Sequence, residues 1–328
     1  MTEAGLVHER LADWYAHAAR DLPWRRAECS PWGVMVSEVM LQQTPVARVL
    51  PRWLEWMDRW PTPAATAAAP AAEILTVWDR LGYPRRALRL QAAAAAMVER
   101  HGGEVPTTAE ELRDLPGVGE YTAAAVACFA FQRPEVVVDT NIRRVHARVF
   151  SGKALPGKTY TAAQRQLARE VMPATFDDDG ALACTWNIAA MELGALICTA
   201  RAPRCASCPV ADLCAWRLAG SPPATEEEKT RGQAWAGTDR QVRGAIMAAL
   251  RQGRPVLQWR LLDQLPLPEA TAQQRLRCLE SLVADGLAVR GISTDPEEPG
   301  ETVIALPGLL DSPQDPSHQV LPASPGAQ

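Results

Sequence analysis

Apolar residues recur at helical spacing along most of the chain. The pattern is clear in residues 6–15 and continues through residues 46–57 and 85–100. Because an α-helix repeats every 3.6 residues, such spacing places the apolar side chains on one face. The three valines of residues 136–138 are the one strand-like run before residue 220, and three residues cannot found a sheet. The pattern predicts that residues 1–220 are all-α.

One helix start is well marked in this region. Ser30 is followed by Pro31, and serine caps helices while proline at the first helical position has no N–H to lose. The predicted helix covers about residues 32–43. Glu38 and Gln42 are four residues apart within it, so we expect them to share one helix face.

The pattern changes after residue 220. Residues 221–238 include a proline-rich, acidic stretch and are predicted to be a linker. Residues 239–310 contain two helical stretches, then two short apolar runs on either side of an acidic Pro/Gly loop, which is typical of a winged-helix-like module. Residues 311–328 are rich in Pro and Ser and are predicted to be disordered.

Length and charge narrow the function classes. A chain of 328 residues is expected to form two domains at about 150 residues per domain. Basic and acidic side chains are equal in number in residues 1–220, so the net charge of −4 arises after residue 220. Any polyanion must therefore be held by local basic patches. The sequence has no apolar run of membrane-spanning length and no signal-peptide core at its start. We expect a cytoplasmic protein with no membrane partner.

Four of the eight cysteines are clustered, with the spacing Cys-x6-Cys-x2-Cys-x5-Cys. Four closely spaced thiolates can enclose Zn²⁺ or an iron–sulfur cluster. Structural zinc sites usually pair Cys-x2-Cys knuckles, and only one gap here is of that kind, so the spacing favours iron–sulfur. The alternative is a site that only staples the end of the helical region. The clustered residues are Cys198, Cys205, Cys208 and Cys214.

A second motif is the run Leu115-Pro116-Gly117-Val118-Gly119, which precedes a predicted small-residue helix over residues 120–131. Two glycines let main-chain N–H groups at a helix start approach an anion without an intervening Cβ. This is a helix–hairpin–helix pattern, which grips a DNA phosphate without reading sequence. Taken alone, the run is equally typical of an ordinary tight turn.

Five motifs in order resemble the endonuclease III superfamily of DNA glycosylases and, within it, the MutY-type adenine DNA glycosylases. The resemblance covers about residues 6–218. It implies a mainly α fold, with a six-helix barrel over about residues 28–136 that carries the hairpin. The N-terminal helix and residues 137–218 would form a second helical domain holding a [4Fe–4S] cluster. The motifs are Ser37–Thr44, Leu81–Tyr83, Leu115–Gly119, Val138–Asn141 and the cysteine loop.

The resemblance also implies a reaction. It predicts a monofunctional glycosylase that excises adenine paired with 8-oxoguanine or guanine in base excision repair, acting as a monomer on double-stranded DNA. Glu38 would protonate the purine as general acid, and Asp139 would stabilise the oxocarbenium-like sugar or act as a transient nucleophile. Asn141 would orient the site. Relatives that also cut the strand carry a Lys where this chain has Tyr121, which cannot form a Schiff base.

Other positions match those that the family uses to hold DNA. Trp24, Arg25 and Glu192 would surround the extruded adenine, although core packing for Trp24 and a solvated helix face for Glu192 are the alternatives. Gln42 and Tyr83 match the residues inserted into the duplex. Arg85, Arg86 and Arg89 follow Tyr83 and would hold phosphates nearby, with a solvated basic helix face as the alternative. The remaining predicted DNA contacts are Gln43, Leu115, Gly117, Val118, Gly119 and Arg143.

The resemblance ends before residues 221–328. Many relatives carry a MutT-like domain there that recognises 8-oxoguanine through a Phe-Ser-His loop, and this chain shows no such loop. We therefore expect the winged-helix-like module to contact DNA or a partner instead. Two other functions stay open: a glycosylase of the same fold acting on mismatched thymine or another base, and a DNA-binding protein without catalysis.

Overall fold

The structure is a computed structural model that describes residues 3–173, 180–229, 235–293, 295–310 and 318–320. Every secondary-structure element in the described part of residues 1–220 is a helix or a short helical turn, so the all-α prediction is confirmed there. These helices are α1 (Glu3–Ala18), α2 (Pro31–Leu41), α3 (Val46–Arg59), α4 (Pro63–Ala68), α5 (Ala71–Trp78), α6 (Arg85–Arg100), α7 (Ala109–Arg113), α8 (Glu120–Phe131), α9 (Thr140–Val149), α10 (Ala162–Glu170), α11 (Ala181–Leu196) and α12 (Ala215–Leu218).

The later residues combine helices with a small antiparallel sheet. The strand order is β1-β3-β2-β4, and the chain order of α13, β1, α14, α15, β2 and β3 is that of a winged helix. The predicted helices are α13 and α15, whereas β1 and α14 were not predicted. The elements are α13 (Asp239–Leu250), β1 (Val256–Leu257), α14 (Gln258–Asp263), α15 (Ala272–Ala284), β2 (Val289–Ser293), β3 (Thr302–Ala305) and β4 (His318–Val320).

Strand β4 lies within residues 311–328, which were expected to be disordered, and it pairs with β2. The other residues of that segment lie outside the described part of the chain. No helix among the described residues combines the length and the apolar character needed to cross a membrane.

The chain divides into two compact units. The first contains Met1–Glu38 and Val105–Gly232, and the second contains Val39–Glu104 and Gln233–Gln328. The boundaries of these units differ from the domain boundaries expected from the sequence. The expected domain boundaries stay predictions.

Helix α11 lies at the centre of the first unit. Trp186 and Leu193 pack into one buried cluster with α1 and α9, while Cys184 and Ala190 pack into a second cluster with α8. Gly194 lets α11 approach α9 closely, because a Cβ there would be 2.7 Å from the Cβ of Asn141. Both faces of α11 are therefore used to fix neighbouring helices.

The second unit joins two segments that are far apart in sequence. Trp56 and Trp78 form its buried aromatic centre near α3 and α5, with ring centroids 6.1 Å apart. The winged-helix module packs in the same unit. Its Arg251 donates to the carbonyl of Leu75 at 3.2 Å, and its Asp285 pairs with Arg85 at 3.0 Å.

Gly194→Ala is expected to destabilise the protein by about 2 kcal/mol or more, because Asn141 must shift to admit the new methyl group. Gly244 is the matched control, since it is also helical but has nothing within 4 Å of an added Cβ. Gly244→Ala should instead stabilise by about 1 kcal/mol through helix propensity. Chemical denaturation measures both; two changes of the same sign would contradict the close contact between α9 and α11.

Candidate active site

Glu38 is a buried carboxylic acid on α2. The helix begins as predicted, with the Ser30 hydroxyl accepting a hydrogen bond from the N–H of Gly33 at 3.2 Å. Glu38 is only 6% exposed, and burial raises its pKa to about 7. The ionised Asp139 adds to this increase, whereas the hydrogen bond from Tyr121 opposes it. A carboxyl group with this pKa can carry a proton near neutral pH and release it.

Tyr121 is the direct partner of that acid. It lies on α8 and its hydroxyl donates to Oε2 of Glu38 at 2.9 Å. Burial and the two nearby carboxylates raise the pKa of Tyr121 well above its ordinary value, so the hydroxyl stays protonated and acts as a donor.

The Gly-rich hairpin connects α7 to α8 and thereby places Tyr121. Gly117 has a φ of 78°, a left-handed conformation that favours glycine, and the N–H of Val118 closes the turn on the carbonyl of Leu115 at 3.2 Å. Leu115 is buried, while Gly117 and Gly119 are exposed at the start of α8. The geometry is that of the predicted helix–hairpin–helix, with its glycines accessible to a phosphate.

Asp139 caps α9. Its Oδ1 accepts from the N–H of Ile142 at 2.6 Å, and its Oδ2 accepts from Nδ2 of Asn141 at 2.8 Å. These bonds favour the ionised form. Burial is the larger effect, however, so the pKa of Asp139 is raised overall rather than held down.

Asn141 is itself fixed by a residue that the sequence analysis did not single out. Arg144 donates from Nη2 to Oδ1 of Asn141 at 2.8 Å and to the carbonyl of Gly194 at 2.6 Å. Its Nε donates to the carbonyl of Cys198 at 2.6 Å. Arg144 therefore ties the orientation of Asn141 to the end of α11 and to the first cysteine of the loop.

The four clustered cysteines line one cavity, together with Arg148 and Trp216. Arg148 is buried and donates to Sγ of Cys198 at 3.3 Å and to the carbonyl of Thr199 at 2.8 Å. A guanidinium at a sulfur stabilises a thiolate. All four thiols are free, and no group of three or more metal-binding side chains within the described residues converges on a single ion. Four Cys thiolates around one cavity are the donor set that iron–sulfur clusters use.

Glu192 forms a buried ion pair. Its carboxylate is fully buried and accepts from Arg20 at 2.6 Å and from Arg25 at 2.9 Å. Although burial alone would raise the pKa of Glu192, the two arginines lower it to about 2. The alternative of a solvated helix face is thus wrong for Glu192. The pair holds Arg25, and neighbouring Trp24 is buried in the short helical turn Pro23–Arg25.

In the second unit, the predicted inserted residues lie in two turns. Helix α2 ends at Leu41, so Gln42 lies just beyond it and does not share a helix face with Glu38. Gln43 and Tyr83 have positive φ values of 56° and 46°, which non-glycine residues seldom adopt. Tyr83 is 50% exposed. Such strained, accessible residues are typical of functional sites.

Two of the predicted phosphate contacts are engaged within the protein. Arg143 donates to the carbonyl of Thr159 at 2.7 Å and to the side chain of Gln164 at 2.9 Å. Arg86 donates to the carbonyls of Val39 at 2.6 Å and Gln42 at 2.8 Å. Both arginines therefore have a structural role that their sequence neighbours did not indicate.

Family comparisons agree with the motifs. A model described as the HhH-GPD superfamily of base excision DNA repair proteins matches residues 36–172. The iron–sulfur binding domain of endonuclease III matches residues 198–214, which span all four clustered cysteines. The residues therefore hold an iron–sulfur cluster.

Similar proteins extend the match over most of the chain. An adenine DNA glycosylase of Mycobacterium tuberculosis is 47% identical over 291 residues, covering 89% of this chain and 93% of that protein. An adenine DNA glycosylase of Mycolicibacterium smegmatis is 48% identical over 277 residues, covering 84% and 90%. A solved thermostable thymine-DNA glycosylase shares 27% identity at a TM-score of 0.58, covering 66% of this chain and 97% of that one.

Cys208→Ser is expected to lower the iron content per chain by more than about half, because it removes one thiolate ligand of the cluster. Cys29→Ser is the control, since Cys29 lies outside the cysteine loop. Iron and acid-labile sulfide assays, with visible absorbance, measure the difference. Equal iron content in the two variants would contradict this ligand assignment.

Proposed function

Because the chain belongs to the adenine DNA glycosylase family within the HhH-GPD superfamily of base excision DNA repair proteins, we propose that it excises adenine paired with 8-oxoguanine or guanine. The single observation that carries this proposal is the contact between Glu38 and Tyr121, a buried acid with a pKa of about 7 and a neutral donor. The iron–sulfur cluster is proposed to be of the [4Fe–4S] type and to have a structural role.

Proton transfer to the base is the first requirement of this reaction. The bond between C1′ of deoxyribose and N9 of adenine breaks with its electron pair going to the base, so adenine must be made a better leaving group. Protonated Glu38 is proposed to give its proton to a ring nitrogen of the purine. Tyr121 then stabilises the resulting carboxylate, because its hydroxyl already donates to Oε2.

Charge stabilisation at the sugar is the second requirement. As the bond breaks, positive charge develops at C1′, and the ionised Asp139 is proposed to face that charge or bond to C1′ transiently before water attacks. Asn141 and the N–H of Ile142 hold both carboxylate oxygens of Asp139 in place. The two bonds fix the direction of the carboxylate before the charge appears.

The product is proposed to be an abasic site with an intact strand. Strand cleavage by a Schiff base needs an amine at the sugar, and the position that carries Lys in bifunctional relatives holds Tyr121. Its hydroxyl is committed to Glu38. A glycosylase acting on thymine is the less supported alternative, because protonation by Glu38 assists departure of a purine.

The winged-helix module is proposed to support the DNA-inserting region rather than to read DNA by itself. Its Arg277 is paired with Asp239 at 2.8 Å, and its acidic residue Glu298 accepts from Arg260 at 2.9 Å. By contrast, Arg240 donates to the hydroxyl of Tyr83 at 3.4 Å. The module thus contacts an inserted residue directly.

A single-turnover base-release assay tests the reaction. Duplexes with adenine opposite 8-oxoguanine, guanine or thymine are incubated with the protein, and each is analysed with and without alkali. We expect cleavage only after alkali, fastest opposite 8-oxoguanine. Asp139→Asn should lower the rate by at least about 1,000-fold, since it removes the charge that faces C1′.

The same variant separates chemistry from binding. Asp139→Asn should bind the duplex as tightly as the unchanged protein, because its position caps α9 in either form. Unchanged turnover in Asp139→Asn would refute the mechanism. Release of thymine in place of adenine would refute adenine as the proposed substrate.

Activity should fall as the pH rises through about 7, because Glu38 must carry a proton and its pKa is about 7. The Tyr121 hydrogen bond lowers the pKa of Glu38, so Tyr121→Phe should move this alkaline limb to higher pH. Tyr160→Phe is a control outside the site. Single-turnover rates from pH 5 to 9 measure the shift; identical limbs in the Tyr121 variant and the unchanged protein would contradict the proposed pairing.

A further inference from the structure

Arg86 bridges two turns of the second unit. It lies on α6, only partly exposed, and its guanidinium donates to main-chain carbonyls on two separate turns. Burial lowers its pKa to about 10, so it stays charged at neutral pH. A charged group that is withdrawn from water needs many acceptors, and these acceptors are the backbone of the two predicted insertion loops.

The first loop follows α2 and contains Gln42 and Gln43. Nη1 of Arg86 donates to the carbonyl of Gln42 at 2.8 Å and to that of Val39 at 2.6 Å. Val39 lies within α2, whose last carbonyls have no helical partner. Arg86 therefore acts as a C-terminal cap of α2 and fixes the residue directly before Gln43, whose φ is 56°.

The second loop contains Leu81, Gly82 and Tyr83. Nη2 of Arg86 donates to the carbonyls of Leu81 and Gly82, each at 3.1 Å. The guanidinium also lies 5.7 Å from the ring centroid of Tyr83. This loop too has a strained residue directly after a bonded carbonyl, since the φ of Tyr83 is 46°.

A second connection joins the same loops. The hydroxyl of Thr44 donates to the carbonyl of Leu81 at 2.9 Å and accepts from Nη2 of Arg86 at 3.4 Å. The Arg86 guanidinium also lies 5.2 Å from the ring centroid of Trp78. One planar fork thus crosslinks two turns that are far apart in sequence.

We propose that Arg86 is a positioning residue that holds Gln42 and Tyr83 as a single rigid wedge for extruding the target base. Its Nη1 and Nη2 groups already donate to main-chain carbonyls and to the Thr44 hydroxyl, so they are not directed at a phosphate. This inference rests on the proposed function, which supplies the base to be extruded. Extrusion costs a few kcal/mol of unstacking, and a wedge offsets that cost only if its side chains are held before DNA arrives.

The test measures extrusion without chemistry. In the Asp139→Asn background, 2-aminopurine replaces adenine opposite 8-oxoguanine, and its fluorescence rises when it leaves the stack. Arg86→Lys keeps the charge but loses the planar fork, so it should slow the fluorescence rise by about ten-fold or more. Arg100→Lys is the matched control, because Arg100 is exposed on the same helix and is not among the predicted DNA contacts.

A second duplex distinguishes a loss of positioning from a general loss of DNA binding by the variant. It carries an abasic-site analogue in place of the target nucleotide, so no base has to be extruded. We expect Arg86→Lys to bind this duplex within about three-fold of its parent. An unchanged fluorescence rise, or an equal loss of extrusion and of abasic-duplex binding, would overturn the proposal.

Thr44→Val is the replacement variant if thermal unfolding of Arg86→Lys is not cooperative, since that would show that Arg86→Lys is not properly folded. It removes one crosslink between the loops and should slow extrusion in the same direction; an unchanged rate would then overturn the proposal. Failure of this proposal can be distinguished from failure of the proposed function. If the unchanged protein releases no adenine, that function fails, whereas adenine release with normal extrusion by Arg86→Lys refutes only the wedge.

Discussion

The close contact between α9 and α11 is the constraint on which the candidate active site depends. Gly194 allows it, since any side chain there would meet Asn141. The same short distance lets Arg144 reach both Asn141 and the carbonyl of Cys198. One helix, α9, therefore begins at Asp139, the proposed catalytic carboxylate, and presents two arginines to the cysteine loop one and two turns later. The cluster region and the reacting region share a single rigid support.

Burial raises the pKa of both carboxyl groups, but the two groups differ in the hydrogen bonds that they accept. Glu38 receives one hydrogen bond, and its pKa rises to about 7. Asp139 receives two, from Asn141 and the N–H of Ile142, and these bonds oppose the increase caused by burial. The hydrogen bonds that Asp139 accepts therefore counteract the effect of burial on its pKa without cancelling it.

Much of this architecture was predictable because it follows from local patterns. The helical periodicity, the Ser30 cap, the hairpin glycines and the cysteine spacing are short-range features that the sequence displays directly. The roles of Arg20, Arg86 and Arg144 were not predictable. Each binds carboxylate or carbonyl oxygens brought close only by the fold, and acceptors on the main chain leave no residue-type signal. The end of α2 at Leu41 was missed for a related reason, because its cap comes from Arg86, more than forty residues further along the chain.

The second unit is built from two separate sequence segments. This arrangement affects both proteolysis of the protein and exchange of its C-terminal module between relatives. Residues 39–104 and the winged-helix module belong to one compact unit, and Arg240, Arg251 and Asp285 of the module bond to the earlier segment. The acidic linker near residue 225 therefore separates sequence segments without separating independent folding units. A protease that cuts this linker would leave a nicked protein whose halves stay associated, and exchange of the C-terminal module between relatives would also require compensating changes around Tyr83.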